Sequence, residues 1–157
     1  MLFKEVLPLK GNGKVTKPVK TVVDTNVFVS ASLSKNPNSP TRELLQRWKS
    51  NQFTLLICNQ IAKELIEKLA ELGVPPELID EQMEALAQSA EWVEVPEDKI
   101  QKLLTDSDDN VIVACAVIGK ANYIITYDPH FDSLGGEYQG IKILKAIPFL
   151  EILRNKK

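Results

Sequence analysis

Lys20-Thr21-Val22-Val23-Asp24 is a β-branched run that ends abruptly in an acid. Its composition predicts a short, buried strand with a carboxylate at its carboxyl end. A second run, Tyr123-Ile124-Ile125-Thr126-Tyr127-Asp128, has the same form a hundred residues later. Further short apolar runs at Phe53–Ile57, Trp92–Val95 and Ile141–Leu144 bring the expected sheet to roughly five strands. Amphipathic segments lie between them. Ser39-Pro40 opens one that runs to about Asn51, with Leu44, Leu45 and Trp48 at helical spacing. Asn59 is placed to cap another, with Ile61, Leu65, Leu69 and Leu72 on one stripe and Gly73 to end it. Pro75-Pro76 opens a third, reaching about Ala90; shorter helical stretches are expected at 25–33, 97–104 and 148–155. Strands that alternate with helices and are continuously apolar predict an α/β class: a three-layer α/β/α sandwich around a mostly parallel sheet.

The 157 residues suit one domain, assigned to 20–157, behind an arm at 1–19 that reads as loose or as an edge strand. With 44% hydrophobic and 25% charged residues the chain has a globular balance, which excludes a disordered or fibrous class. No run of about 18 apolar residues exists, so no membrane span is expected. The first twenty residues lack an apolar signal-peptide core, which makes the cytoplasm the default location. Cys58 and Cys115 lie in apolar runs and read as small buried hydrophobes, too few for a disulfide framework or a zinc site. A Ser-His-Asp triad would have to use His130, the one histidine, and no nucleophile motif accompanies it. The net charge of −2 does not advertise nucleic-acid binding, but a carboxylate cluster changes its local sign once divalent cations fill it.

Chemistry is therefore sought among the acids. Asp24 and Asp128 end two strands, and ligands of parallel sheets bind beyond the carboxyl ends where strand order reverses. Either acid alone reads equally as the cap of the turn that follows; the pair reads as a site. Asp109 begins the apolar segment 110–120, a helix expected to be buried, with Asp106 and Asp108 just before it. Ser107 or Asp108 is the expected cap there, which leaves at least one acid over at the mouth of the helix. An EF-hand loop from Asp106 fails, because Val111 and Val117 stand where glycine and glutamate are needed. Glu64 lies beside an apolar stripe with Lys68 at i+4, and a surface ion pair accounts for it. Beside Asp128, Phe131 is expected in the core and His130 in an exposed turn; the alternative is that Tyr127, His130 and Phe131 stack on bases or touch phosphate.

The ordered set Val22-Val-Asp24-Thr-Asn-Val-Phe28, Glu64 in a helix after the second strand, Asp109-Asn-Val-Ile-Val-Ala-Cys-Ala116 and Tyr123-Ile-Ile-Thr-Tyr-Asp128 resembles the PIN-domain family over residues 20–155. The likeness is greatest to the toxin component of PIN-type toxin–antitoxin pairs. It implies a metal-dependent endoribonuclease, with RNA as substrate, Mg²⁺ or Mn²⁺ as one or two ions, an antitoxin protein as partner and homodimerisation. Carried over by position, it implies Asp24, Glu64, Asp109 and Asp128 as the catalytic, metal-holding acids, oriented by Asn26 and Thr126. The chain departs from the pattern in its longer arm, and in the crowding of Asp106 and Asp108 around Asp109; Asp132 stands similarly near Asp128. Two other readings compete. One is a catalytically silent PIN-like module that binds RNA or protein. The other is a phosphorylation-switched receiver, which needs an acid pair beside the first strand where this chain has only Asp24, although Lys145 follows the last strand as a receiver requires.

Overall fold

A computed structural model describes residues 18–155. The expected arm at 1–19 lies, except for its last two residues, outside the described residues. Six strands form one sheet: β1 (Lys20–Val23), β2 (Thr54–Ile57), β3 (Glu91–Trp92), β4 (Tyr123–Ile125), β5 (Glu137–Tyr138) and β6 (Ile141–Leu144). Their order is β3-β2-β1-β4-β6-β5, parallel except for the β5–β6 pair. The fold is the expected α/β architecture, with helices flanking a mostly parallel sheet, but with six strands rather than five. The extra one is a two-residue strand too short to show any hydrophobic pattern. It sits between Gly135-Gly136 and Gly140, all at positive φ, where glycine bears no steric penalty.

Six α-helices connect or flank the strands: α1 (Thr25–Leu33), α2 (Pro40–Lys49), α3 (Asn59–Glu71), α4 (Pro76–Ser89), α5 (Ser107–Ile118) and α6 (Ala146–Arg154). Helix α2 starts as its sequence demands: the Ser39 hydroxyl accepts from the Arg42 N–H at 3.2 Å, and Pro40 occupies the first turn. Helix α3 buries Ile61, Leu65 and Leu69, each contributing about 1.5–3 kcal/mol. Leu72, expected on the same stripe, is 54% exposed because the helix ends beneath it. Cys58, not Asn59, holds the N-cap position of α3. Segment 97–104 is not a helix: only a 3-10 turn, Glu97–Lys99, forms there. The stretch after it is pinned by Asn110, whose Oδ1 accepts from the Leu103 and Leu104 N–H groups at 3.1 and 2.7 Å and whose Nδ2 donates to the Leu104 carbonyl at 2.9 Å.

The core takes in Val22, Val23, Leu55, Leu56, Ile57, Ile124 and Ile125 from the sheet, and Leu44, Leu65, Ile112 and Phe149 from the helices. Cys58 and Cys115 are buried free thiols within it, as expected. Helix α5 packs on β1, β2 and β4 and is buried over Asp109–Ala116 with Val111 partly so, but Val117 and Ile118, expected to be buried, are exposed at its end. Strand order reverses between β1 and β4, so a crevice opens beyond the carboxyl ends of those two neighbours. Register carries their last residues to the same level: Val23 pairs with Ile125, and the Asp24 N–H donates to the Ile125 carbonyl at 2.9 Å.

Candidate active site

Asp24 lies one residue beyond β1, at the N-cap position of α1, yet its side chain caps nothing. Its carboxylate is instead bound from below: the Thr126 hydroxyl donates to Oδ2 at 2.7 Å, and Thr25 Oγ1 lies 3.4 Å from Oδ1. The capping explanation therefore fails for Asp24, which is 5% exposed. Asp128 does cap the turn at Pro129–Leu134, accepting from the His130 N–H through Oδ1 at 2.9 Å. Its own N–H donates to Thr126 Oγ1 at 3.0 Å. A single hydroxyl thus ties both strand-end acids together. Asp109 sits in the first turn of α5, also 5% exposed. The cap of α5 is Asp106, which accepts from the Asp108 N–H at 2.9 Å, and neither Ser107 nor Asp108 takes that role. Asp109 is thereby left without a capping duty, as the surplus acid expected at the helix mouth.

Carboxylate oxygens of Asp24, Asp109 and Asp128 all lie within 4.8 Å of one another. Glu64 stands just outside this triad, reached through Thr25, whose hydroxyl donates to Glu64 Oε1 at 3.2 Å. Lys68 pairs with Glu64 at 3.4 Å, as its i+4 spacing predicts. Asp108 and Asp132 are exposed and outside the triad. Asp106 joins a second set, in which its ligand atom, one of Asp109 and one of His130 also lie within 4.8 Å of one another. No hydrogen bond joins the Asn26 side chain to an acid; its Oδ1 is buried without a partner among the described residues, so the orienting role expected for it has no direct contact behind it. Phe131 is buried, as expected. His130 is exposed, also as expected, but its Nδ1 is 3.1 Å from Asp109 Oδ2 and 3.2 Å from Asp128 Oδ1. Sequence reasoning passed over Thr25 and Asn110; Thr25 directly follows the strand-end acid, and that adjacency is the only local signal it carries.

Crowding leaves its mark on the protonation equilibria. Burial pushes Asp109 up to about 6, opposed by the hydrogen bond from His130 and reinforced by the charges of Asp128, Asp106 and Asp24. Glu64 is pushed up to about 7, first by burial and then by the neighbouring Asp108 carboxylate, with Lys68 pulling the other way. Asp24 is raised by burial against the hydrogen bond from Thr126. Around His130, the hydrogen bond to Asp109 and then the Asp128 charge raise the imidazole. Three acids gathered this closely, with Asp24 and Asp109 displaced upward, form a donor set suited to a hard divalent cation.

A family profile described as PIN domain matches residues 20–130, and the chain belongs to that family. No curated protein sequence matches it. Among solved structures, it is similar to VapBC2 from Rickettsia felis bound to a DNA fragment from its promoter (TM-score 0.57, 14% identity, covering 80% of this chain and 97% of that one). It is also similar to VapC20 of Mycobacterium tuberculosis, a toxin that cleaves the sarcin–ricin loop (0.55, 13%, 78% and 98%). A third is PAE2754 from Pyrobaculum aerophilum (0.59, 16%, 88% and 91%). At these identities the likeness is one of fold. No helix among the described residues is long and apolar enough to cross a membrane.

Proposed function

We propose that this chain is a metal-dependent endoribonuclease that hydrolyses RNA phosphodiester bonds at the acid crevice. The observation that carries the reading is the convergence of Asp24, Asp109 and Asp128, from three distant points in the chain, to within 4.8 Å. Those three would hold one or two Mg²⁺ or Mn²⁺ ions, with Glu64 beside them. When bound, such a cation polarises the phosphoryl oxygens, makes water more acidic and stabilises charge on the leaving oxygen. The remaining work falls to the chain. Thr126 holds the Asp24 carboxylate through its hydroxyl proton and the Asp128 backbone N–H through its oxygen, and Thr25 couples Asp24 to Glu64. Glu64, held by Thr25 and Lys68 at the edge of the triad, would position the attacking water.

The fold shared with VapC20 supports RNA as the substrate, and the fold shared with VapBC2 supports an antitoxin protein as the partner that holds the enzyme inactive. The deciding experiment compares wild type and Asp24→Asn on RNA with and without Mn²⁺. We expect metal-dependent cleavage by the first and none by the second, with circular dichroism unchanged. Undiminished cleavage by the variant would rule out the assignment. Mn²⁺ binding without cleavage of any RNA would instead favour the silent module.

A further inference from the structure

His130 is not one of the acids assigned to the centre, yet its position is built rather than incidental. Pro129 fixes the backbone before it, Phe131 anchors the backbone after it in the core, and its own N–H is held by Asp128. This places Nδ1 nearly equidistant, at 3.1 and 3.2 Å, from carboxylate oxygens of Asp109 on α5 and Asp128 beyond β4. Two ligands set at right angles on one octahedral ion, each about 2.0–2.1 Å from it, lie roughly 3 Å apart. The imidazole nitrogen therefore stands from Asp109 Oδ2, the oxygen it would share an ion with, at the spacing of adjacent ligands. Asp106 completes a second three-ligand set with Asp109 and His130, and Asp109 is common to both sets. Asp106 uses Oδ1 to cap α5, which leaves its other oxygen available.

We infer that His130 is a metal ligand through Nδ1, forming with Asp106 and Asp109 an outer cation position next to the one held by Asp24, Asp109 and Asp128. The inference rests on the proposed metal centre and adds a nitrogen donor to it. A nitrogen donor shifts preference from Mg²⁺ toward Mn²⁺ and other borderline cations. The centre is then asymmetric: an inner position lined by oxygen alone, and an outer one that distinguishes between the two ions.

The chain contains one histidine, so its imidazole signature on a bound ion has a single source. The test is pulsed electron paramagnetic resonance of untagged wild-type protein saturated with Mn²⁺. The expected spectrum shows a ¹⁴N coupling of the size of a coordinated imidazole. Labelling with [¹⁵N]histidine should convert it to the ¹⁵N pattern, and His130→Gln should remove it. In calorimetry the same variant should bind Mn²⁺ at the outer position about tenfold more weakly or worse, while Mg²⁺ binding changes little. Saturation with Mn²⁺ without that coupling would overturn the inference and leave the acid centre standing. Failure of the protein to bind Mn²⁺ at all would overturn both, and the amplitude of the bound-ion signal separates the two results. Because the decisive spectrum comes from the wild type, the conclusion does not depend on the folding of a variant.

Discussion

Replacing Asp109 by asparagine should make the metal-free protein more stable while destroying its site. The native pocket holds the Asp109 carboxyl at about 6 against an ordinary 3.8, chiefly through burial. Each tenfold in proton affinity is ~1.4 kcal/mol, so ionising this group in the folded state costs about 3 kcal/mol more than in the unfolded chain. The neighbouring Asp106 and His130 are exposed, and solvent screening on that side reduces the figure to about 1–2 kcal/mol. The sign follows from linkage. Below pH ~4 the group is protonated in both states and contributes nothing; as pH rises toward 6 only the unfolded chain gives up its proton freely, and stability is lost. Above 6 the full penalty applies. The amide keeps the shape and an acceptor for His130 but carries no charge. At pH 8 in a chelator, Asp109→Asn should therefore melt about 2–8 °C above wild type, with the gap closing by pH 4. Adding Mn²⁺ should raise the wild-type transition and leave the variant nearly unmoved. The assay is differential scanning calorimetry over pH 4–8, with and without metal. A variant no more stable than wild type at pH 8 in the chelator would refute the claim that this carboxylate is held under electrostatic load.

Thr126→Val should lower stability by about 2–4 kcal/mol, measured by urea denaturation, because it removes a buried donor from Asp24 and an acceptor from the Asp128 N–H together. Cleavage should fall with it, since both strand-end acids lose their common anchor. Gly119→Ala should cost about 1–3 kcal/mol: its Cβ would stand 2.8 Å from Leu56 Cδ1, 2.9 Å from Val93 Cγ2 and 3.0 Å from the Cys115 carbonyl. An unchanged denaturation midpoint would show that the helix end relaxes freely there.

Strands β1, β2, β4 and β6 were legible because each is a short run rich in β-branched and apolar residues. Strand β3 was expected at Trp92–Val95 but is Glu91–Trp92, with one further bond from the Val93 N–H to the Ile57 carbonyl. Val95 is apolar because it is buried as part of the following loop, and burial without pairing looks the same in a sequence. Asp24 and Asp128 could be paired in advance because parallel register fixes where neighbouring strands end. Glu64 could not. Its link to the triad runs through a hydroxyl 39 positions away, a contact that no helical periodicity records, and only the family resemblance pointed to it. The cap of α5 differs from the expected one because Asp106, Ser107 and Asp108 can all cap, and adjacent cappers look alike in a sequence; the role falls to Asp106.

The acids share one further circumstance. Asp24 stands at the N-terminal end of α1, Asp109 in the first turn of α5, and Asp128 at the start of a 3-10 turn. Each acid therefore stands at the positive end of a helix or turn. The positive ends of α1 and α5 each offset about 0.3–1 kcal/mol of negative charge, and up to ~2 when partly buried. Asp24, Asp109 and Glu64 nevertheless remain displaced upward, so the fold's own dipoles fall short of balancing the charge it gathers. A scaffold selected for stability alone would have neutralised these positions with amides or paired them with arginine. This one leaves Lys68 on Glu64 and His130 at the rim as the cations near the acids, both well exposed to solvent. The balance that remains is one a small divalent cation can supply.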